Sequence, residues 1–246
     1  MSVPKLHPIS CTPSAFGLAI ETNEWVLIDA GFTQLQWKNF TQNHSLETSR
    51  IRHVLLTHEH QDHVQGLAWW LLEHASPKTK VWCTPETRGA LSLPQGLQKH
   101  FRHIPSSGRI EIGGIQIETL SVVHDAVQPV AYKLYQGQHT GLIVVDAGVV
   151  TASLHRALLD CDWAFVSPYY DESKITTDDV GAEEIQRITS KHGHLSNQEV
   201  SKWLKTSGKK LSRLSVGHHH PQLNTRRMIL SMLAETMHQN VMIESF

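Results

Sequence analysis

Thr57-His58-Glu59-His60-Gln61-Asp62-His63 places three imidazoles and a carboxylate, from His58, His60, Asp62 and His63, within six positions. Imidazole nitrogen suits Zn²⁺, and mixed imidazole–carboxylate sets also hold Mn²⁺ or Fe. Exposed histidines need no metal, but a core tolerates four such polar groups poorly unless they are paired. The run follows a short apolar segment, His53-Val54-Leu55-Leu56-Thr57, that reads as a buried strand. After it, Val64, Leu67, Ala68, Leu71 and Leu72 recur at helical spacing. Four donors on a tight strand-to-helix connection can face two adjacent cations.

The surrounding elements alternate between strand-like and helix-like, which favours α/β layers over segregated blocks. Trp25–Asp29, Val130–Tyr135, Thr140–Asp146 and Trp163–Val166 read as strands, and Arg109–Leu120 as a hairpin turning at Gly113-Gly114. Helices are expected over Thr151–Leu159, Asp178–Thr189, Ser196–Thr206 and Thr225–Met237. Val26-Leu27-Ile28-Asp29-Ala30-Gly31 is echoed by Ile143-Val144-Val145-Asp146-Ala147-Gly148. Each is an apolar strand delivering an Asp to its end and then a Gly at a turn. Such a sequence also arises by coincidence, but two carboxyl ends from two halves of the chain can converge on one site.

With 246 residues and 40% hydrophobic content, the chain can bury one substantial core, and residues 1–246 are taken as a single domain. No apolar run approaches the ~20 residues that span a bilayer, and Met1–Thr12 lacks the apolar core of a signal peptide. Cys11, Cys83 and Cys161 are isolated, without C-x-x-C spacing, which argues for a reducing cytosol and a cytoplasmic protein. Net charge is −1 but unevenly spread. Residues 187–227 hold nine Lys or Arg and one acidic residue, Glu199, leaving that stretch at +8 and the remainder at −9. A phosphate-attracting face and a solvated helical face both fit that charge.

His58-x-His60-x-Asp62-His63 resembles the signature motif of the metallo-β-lactamase superfamily, and further ligand-type residues follow in that superfamily's order. Asp29 matches an aspartate that orients the loop, His124 the third-motif histidine, Asp146 the bridging carboxylate and His218 the final histidine. His218 is preferred to His219 and His220 because it directly follows the apolar strand Leu214-Ser215-Val216-Gly217. The resemblance implies a four-layer αββα sandwich of two mixed sheets flanked by helices. It also implies two divalent metal ions, Zn²⁺ before Mn²⁺ or Fe. His58, His60 and His124 would hold one ion and Asp62, His63 and His218 the other, with Asp146 and a water between them.

His124-Asp125-Ala126, Pro129 and Gly193-His194-Leu195-Ser196-Asn197 resemble the YycJ/WalJ-like branch. That branch is related to ribonuclease Z and to the carbon–phosphorus lyase-associated phosphodiesterases. There a histidine just before a helix protonates the leaving group or holds phosphate, and His194 is the matching position. Ser196-x-x-Glu199 reads as a capping box. A helix N-terminus there is an expected phosphate seat, with Ser196 and Asn197 as substrate-binding residues beside His194. Two segments depart from the branch. Cys11–Gly17 replaces a Gly-Ser-x-Gly-Asn turn, and Ser167-Pro168-Tyr169-Tyr170-Asp171 lacks the Glu that orients the leaving-group histidine in relatives. Tyr169 and Tyr170 are candidates for stacking on a base, or for packing.

The expected function is phosphodiester hydrolysis on a nucleic acid or small nucleotide, with Asp62, Asp146 and His194 catalytic. The same metal pair also serves hydrolysis of a thioester, lactone or β-lactam, and a non-catalytic metal- or nucleic-acid-binding protein is the rival of another class. No membrane partner is expected, and the resemblance is compatible with a homodimer.

Overall fold

The computed structural model describes residues 3–22, 24–176, 180–237 and 241–246. The first half runs β1 (Lys5–Thr12), β2 (Ala15–Glu21), β3 (Trp25–Ile28), α1 (Gln34–Asn43), β4 (Ile51–Leu55), α2 (Gln61–Val64), α3 (Leu67–His74), β5 (Lys80–Cys83), α4 (Pro85–Ala90) and β6 (Phe101–His103). The second runs β7 (Gly108–Ile112), β8 (Ile115–Ser121), β9 (Val130–Gln136), β10 (His139–Val144), α5 (Ala152–Leu158), β11 (Trp163–Val166), α6 (Ala182–Thr189), α7 (Asn197–Ser207), β12 (Arg213–Val216), α8 (Arg226–Thr236) and β13 (Met242–Ser245).

The strands form two mixed sheets in the orders β1-β2-β3-β4-β5-β6 and β13-β12-β11-β10-β9-β8-β7. Strand periodicity explains the layering, because successive side chains leave a strand on opposite faces. Val26 and Ile28 of β3 join a core between the sheets, together with Phe16, Leu55, Ile143 and Phe165. Trp25 and Leu27 turn the other way, onto Trp37 and Phe40 of α1 and Leu67 and Trp70 of α3. In the second sheet Leu142 and Val144 pack instead on Leu154 of α5, Trp203 of α7 and Ile229 of α8. Three apolar layers thus separate four structural ones, the expected αββα sandwich of the metallo-β-lactamase type. Strands buried on both faces are why these segments read as continuous apolar runs.

The sequence echo has a structural counterpart. β3 and β10 each pair antiparallel with the preceding strand and parallel with the following one. Each then leads through Ala-Gly to a threonine N-cap, Thr33 of α1 or Thr151 of α5. The two glycines are demanded by close backbone approach. A Cβ on Gly31 would sit 1.6 Å from the Asp62 carbonyl oxygen, and one on Gly148 2.3 Å from that of Lys191.

Several boundaries differ from those expected. The strand expected over His53–Thr57 begins at Ile51 and ends at Leu55, so Leu56 and Thr57 already belong to the site connection. The helix behind the histidine run is two pieces, α2 and α3, parted at Gln65-Gly66, where the Gly66 N–H donates to the Ala30 carbonyl. The helix expected from Asp178 begins at Ala182; Asp178 and Asp179 lie outside the described residues. β1, β2, α1, β5, α4, β6 and β13 were not anticipated. No helix among the described residues is long and apolar enough to cross a membrane.

Candidate metal centre

One edge of the sandwich gathers the chemistry. Asp29 follows β3, the His58–His63 run follows β4, Asp146 follows β10 and His218 follows β12. β8 and β10 run in the same direction because both are antiparallel to β9. His124, just past β8, therefore reaches the same edge as Asp146, and the Gly148 N–H ties the two connections through the Val123 carbonyl at 2.7 Å. The sheets are joined at this edge, where the Val130 N–H donates to the Thr57 carbonyl at 3.0 Å and the Tyr132 hydroxyl to Leu56 O.

Asp29 organises the loop without facing the centre. It is buried, with φ +58°, a left-handed conformation that Asp tolerates better than most residues. Its carboxylate accepts from the Thr57 N–H at 2.7 Å, from the Thr57 hydroxyl at 2.7 Å and from His63 Nδ1 at 2.8 Å. His218 also has positive φ, +57°, and its N–H is held by the Cys11 carbonyl at 3.1 Å.

Each imidazole is fixed through the nitrogen that faces away from the centre. His63 Nδ1 donates to Asp29, His124 Nδ1 to the Gly193 carbonyl at 2.9 Å and His218 Nδ1 to the Thr12 carbonyl at 3.0 Å. His58 Nδ1 donates to the Thr57 hydroxyl at 2.9 Å, whose own proton goes to Asp29. His60 is reversed: its Nε2 donates to the Asp125 carbonyl at 3.2 Å, leaving Nδ1 inward. In a neutral ring such a bond sets the tautomer and leaves the other nitrogen as a lone pair.

The inward atoms form three sets whose members lie within 4.8 Å of one another: His58, His60 and His124; Asp62, His63 and His218; and His58, His63 and Asp146. Asp146 joins the first two sets. Its Oδ2 lies 3.0 Å from His63 Nε2, 3.6 Å from His58 Nε2 and 4.0 Å from His124 Nε2, while Oδ1 lies 3.6 Å from His218 Nε2. His63 and His218 Nε2 lie 3.3 and 3.6 Å from Asp62 Oδ2.

This donor set fits a cation. His58 Nε2 is buried without a hydrogen-bond partner. His60 Nδ1 and His124 Nε2, both lone pairs in the tautomers fixed above, face each other at 3.3 Å. Such lone pairs repel unless a proton or a metal lies between them.

The electrostatics keep His58, Asp146 and Asp62 in their ligating forms, whereas His63 carries a proton that a metal would displace. Burial pushes His58 well below the usual histidine range, with His63 adding to the shift. Burial opposes a charged His63, but Asp29, Asp146 and Asp62 hold it well above that range. Burial likewise works against an ionised Asp146, yet His218 and His194 hold it well below the carboxylate range. Asp62 is lowered against its burial, by His63 and then His218.

His194 stands beside this cluster. Its Nδ1 donates to Asp146 Oδ1 at 3.1 Å, and Tyr169 stacks on its ring with centroids 3.7 Å apart. Of the two uses open to Tyr169 and Tyr170, stacking on a base or packing, the structure shows packing: both are buried, 6% exposed, and Tyr169 offers its face to His194.

A model of the beta-lactamase superfamily domain matches residues 24–220, a span containing every residue of this cluster. The chain belongs to that superfamily. It is 24% identical over 207 residues to the exodeoxyribonuclease WalJ of Streptococcus pneumoniae (strain D39), covering 82% of this chain and 76% of that one. The fold is that of the Bacillus subtilis metallo-β-lactamase fold protein YhfI, with TM-score 0.73, 15% identity and coverage of 100% and 97%. It is also that of a diphosphatase of the PhnP family, with TM-score 0.69, 12% identity and coverage of 98% and 94%.

Within this superfamily member, Ser196 and Asn197 lie beside the site with their polar groups already used. Ser196 is buried, accepts from the Glu199 N–H at 3.1 Å and donates to Glu172 at 2.7 Å. Asn197 Nδ2 donates to Asp171 at 2.7 Å, its Oδ1 accepts from Asn224 at 2.8 Å, and its N–H goes to the Tyr170 carbonyl. At the start of α7 the N–H groups of Ser196, Asn197 and Glu199 are thus bonded to the protein's own acceptors. These residues brace the segment carrying Tyr169. Thr12 O and Gly193 O, which aim His218 and His124, were missed; as backbone acceptors they carry no side-chain signal. Asp125 and Arg187, at the site's rim, were noted only within a motif and within the basic stretch, without a role in the site.

Proposed function

We propose that the chain is a dinuclear-metal hydrolase of phosphodiesters, with a polynucleotide as substrate. The observation that carries this reading is the position of Asp146, whose carboxylate touches both histidine sets and also bonds His194. His58, His60 and His124 would hold one ion and Asp62, His63 and His218 the other, with Asp146 shared between them. A set so rich in imidazole favours Zn²⁺, with Mn²⁺ or Fe the next choices. Two divalent cations there would supply a nucleophile from water near neutral pH and offset charge on phosphate oxygens.

The chain's own residues do the rest. Asp29 and Thr57 hold the His58 and His63 rings in their ligating tautomers. Asp146 fixes Nδ1 of His194 as the donor, so a second proton on that ring resides on Nε2 and can pass to the departing oxygen. Asp146 and Tyr169 thereby orient His194 where relatives use a Glu. A relative named for exodeoxyribonuclease activity supports a polynucleotide substrate. The unpaired Cys11, Cys83 and Cys161 fit a reducing, cytoplasmic setting.

The test is an activity panel on protein reconstituted with Zn²⁺ or Mn²⁺. It compares single- and double-stranded DNA, RNA, cyclic nucleotides, bis-p-nitrophenyl phosphate and a thioester. Metal-dependent cleavage of the phosphodiesters is expected, and cleavage of the thioester alone would overturn the reading.

A further inference from the structure

Arg187 of α6 and Asp125, next to His124, meet across the rim of the site. Arg187 Nη1 donates to Asp125 Oδ2 at 3.0 Å. The other carboxylate oxygen, Oδ1, lies 3.2 Å from His124 Nε2 and 3.9 Å from His60 Nε2. One carboxylate therefore spans the gap between a guanidinium and the first histidine set. Two non-bridging oxygens of a phosphoryl group can fill the same gap, one on the guanidinium and one toward the donor atoms. A planar guanidinium matches such oxygens better than an ammonium does.

The setting suits exchange. Arg187 and Asp125 side chains are 47% and 30% exposed, whereas Asp146 is only 3% exposed. The loop that carries Asp125 is held by other bonds. Glu59 Oε1 accepts from the Val127 N–H at 2.7 Å, and His60 Nε2 donates to the Asp125 backbone carbonyl. The Asp125 carboxylate can leave Arg187 without releasing that loop.

We propose that Arg187 binds a non-bridging phosphate oxygen of the substrate, and that the Asp125 carboxylate occupies this place while substrate is absent. This rests on the phosphodiester reading and sharpens it. An anionic phosphoryl group regains the bond that Asp125 gives up, whereas a neutral thioester or lactone carbonyl does not. Arg187 is thus a specificity residue for phosphate.

Arg187→Ala, Arg187→Lys and Asp125→Asn test this at saturating metal, with kcat and KM on bis-p-nitrophenyl phosphate and calorimetric Kd for inorganic phosphate. Arg187→Ala should raise KM and the phosphate Kd about ten- to a hundredfold while kcat stays within a few-fold. Arg187→Lys should recover part of the loss, and Asp125→Asn should lower both constants by removing the competing anion. A pair that merely tethers the rim predicts otherwise: Arg187→Ala and Asp125→Asn break the same bond and would shift both constants in the same direction. That result, or phosphate binding indifferent to Arg187, overturns the proposal. Opposite shifts in phosphate Kd with no diester turnover by the wild-type protein would uphold the phosphate site and refute the diesterase reading.

Discussion

The ring of Tyr169 lies flat on that of His194, 3.7 Å away and tilted by 11°. Stacking fixes the plane of the imidazole, and the Asp146 bond at 3.1 Å fixes its rotation. Burial pushes the Tyr169 hydroxyl above its ordinary range, so it stays a neutral phenol, and its role here is the ring face. Tyr169→Phe should keep kcat near that of the wild type. Tyr169→Ala should lower kcat by roughly tenfold or more, since displacing a catalytic group by ~1 Å can cost ~10²-fold. Kinetics with metal content measured alongside checks this; loss of metal in Tyr169→Ala would assign the stack to the metal centre instead.

His194→Ala should discriminate between leaving groups. A deoxyribose alkoxide departs poorly without a proton, so a dinucleotide should lose about 10²–10⁴-fold in kcat. p-Nitrophenolate leaves unprotonated, and bis-p-nitrophenyl phosphate should lose far less. Equal losses on both substrates would remove the proton-donor role and leave His194 as a phosphate or metal-site residue.

The histidine run stood out by its residue types, and Asp146 and His218 by the superfamily resemblance; each follows an apolar strand, and strand ends of an α/β sheet share an edge. The partners that aim the rings were hidden for a physical reason. The Thr12 and Gly193 carbonyls exist at every position of any sequence, and only tertiary structure selects them. α1 escaped because its apolar stripe is brief, with Trp37 and Phe40 its only buried residues. The capping box at Ser196 announced the helix start but not which side chains bond there. Glu172 and Asp171, over twenty residues away in sequence, bond Ser196 and Asn197 there.

Asp29 should matter to metal affinity without touching a metal. Asp29→Ala strands the buried Thr57 N–H and the His63 ring, and removing one partner of a buried pair costs about 3–5 kcal/mol. Asp29→Asn retains a residue that tolerates φ +58° but cannot accept all three bonds. It should fold and bind metal about 10–100-fold more weakly. Denaturant unfolding and chelator competition measure the two effects separately. Unchanged affinity in a folded Asp29→Asn protein would refute the orienting role.

Metal binding should release protons at neutral pH. In the metal-free protein His63 is held charged by Asp29, Asp146 and Asp62, its pKa raised well above ~6.5. A ligating imidazole must be neutral, so loading displaces that proton and apparent affinity rises with pH until His63 titrates. The sign for stability is opposite. A raised folded pKa stabilises metal-free protein fully below about pH 6.5, and this contribution is lost as pH rises through the folded value. Calorimetry in buffers of different ionisation enthalpy counts the protons, and thermal melts of chelated protein follow the second effect. Loading without proton release near pH 7 would contradict a charged His63.

The basic stretch is divided by the structure. Lys210 bonds Asp162 at 3.2 Å, Arg213 bonds the Pro4 carbonyl at 3.0 Å, and Arg187 is held by Asp125. Lys202, Lys205 and Arg227 instead line a groove of about 760 Å³ between α7 and α8, with Asp171 and Glu235 on its walls. A strand tracking this groove would contact phosphates through those cations, whereas a small diester would not reach them. Lys202→Ala and Lys205→Ala should then weaken binding of a single-stranded oligonucleotide. Each should flatten the dependence of log K on log salt by about 0.7. Hydrolysis of bis-p-nitrophenyl phosphate should be unchanged in both. If the salt slope of the double variant equals that of the wild type, these lysines form a solvated helical face, and any polynucleotide takes another path to the metals.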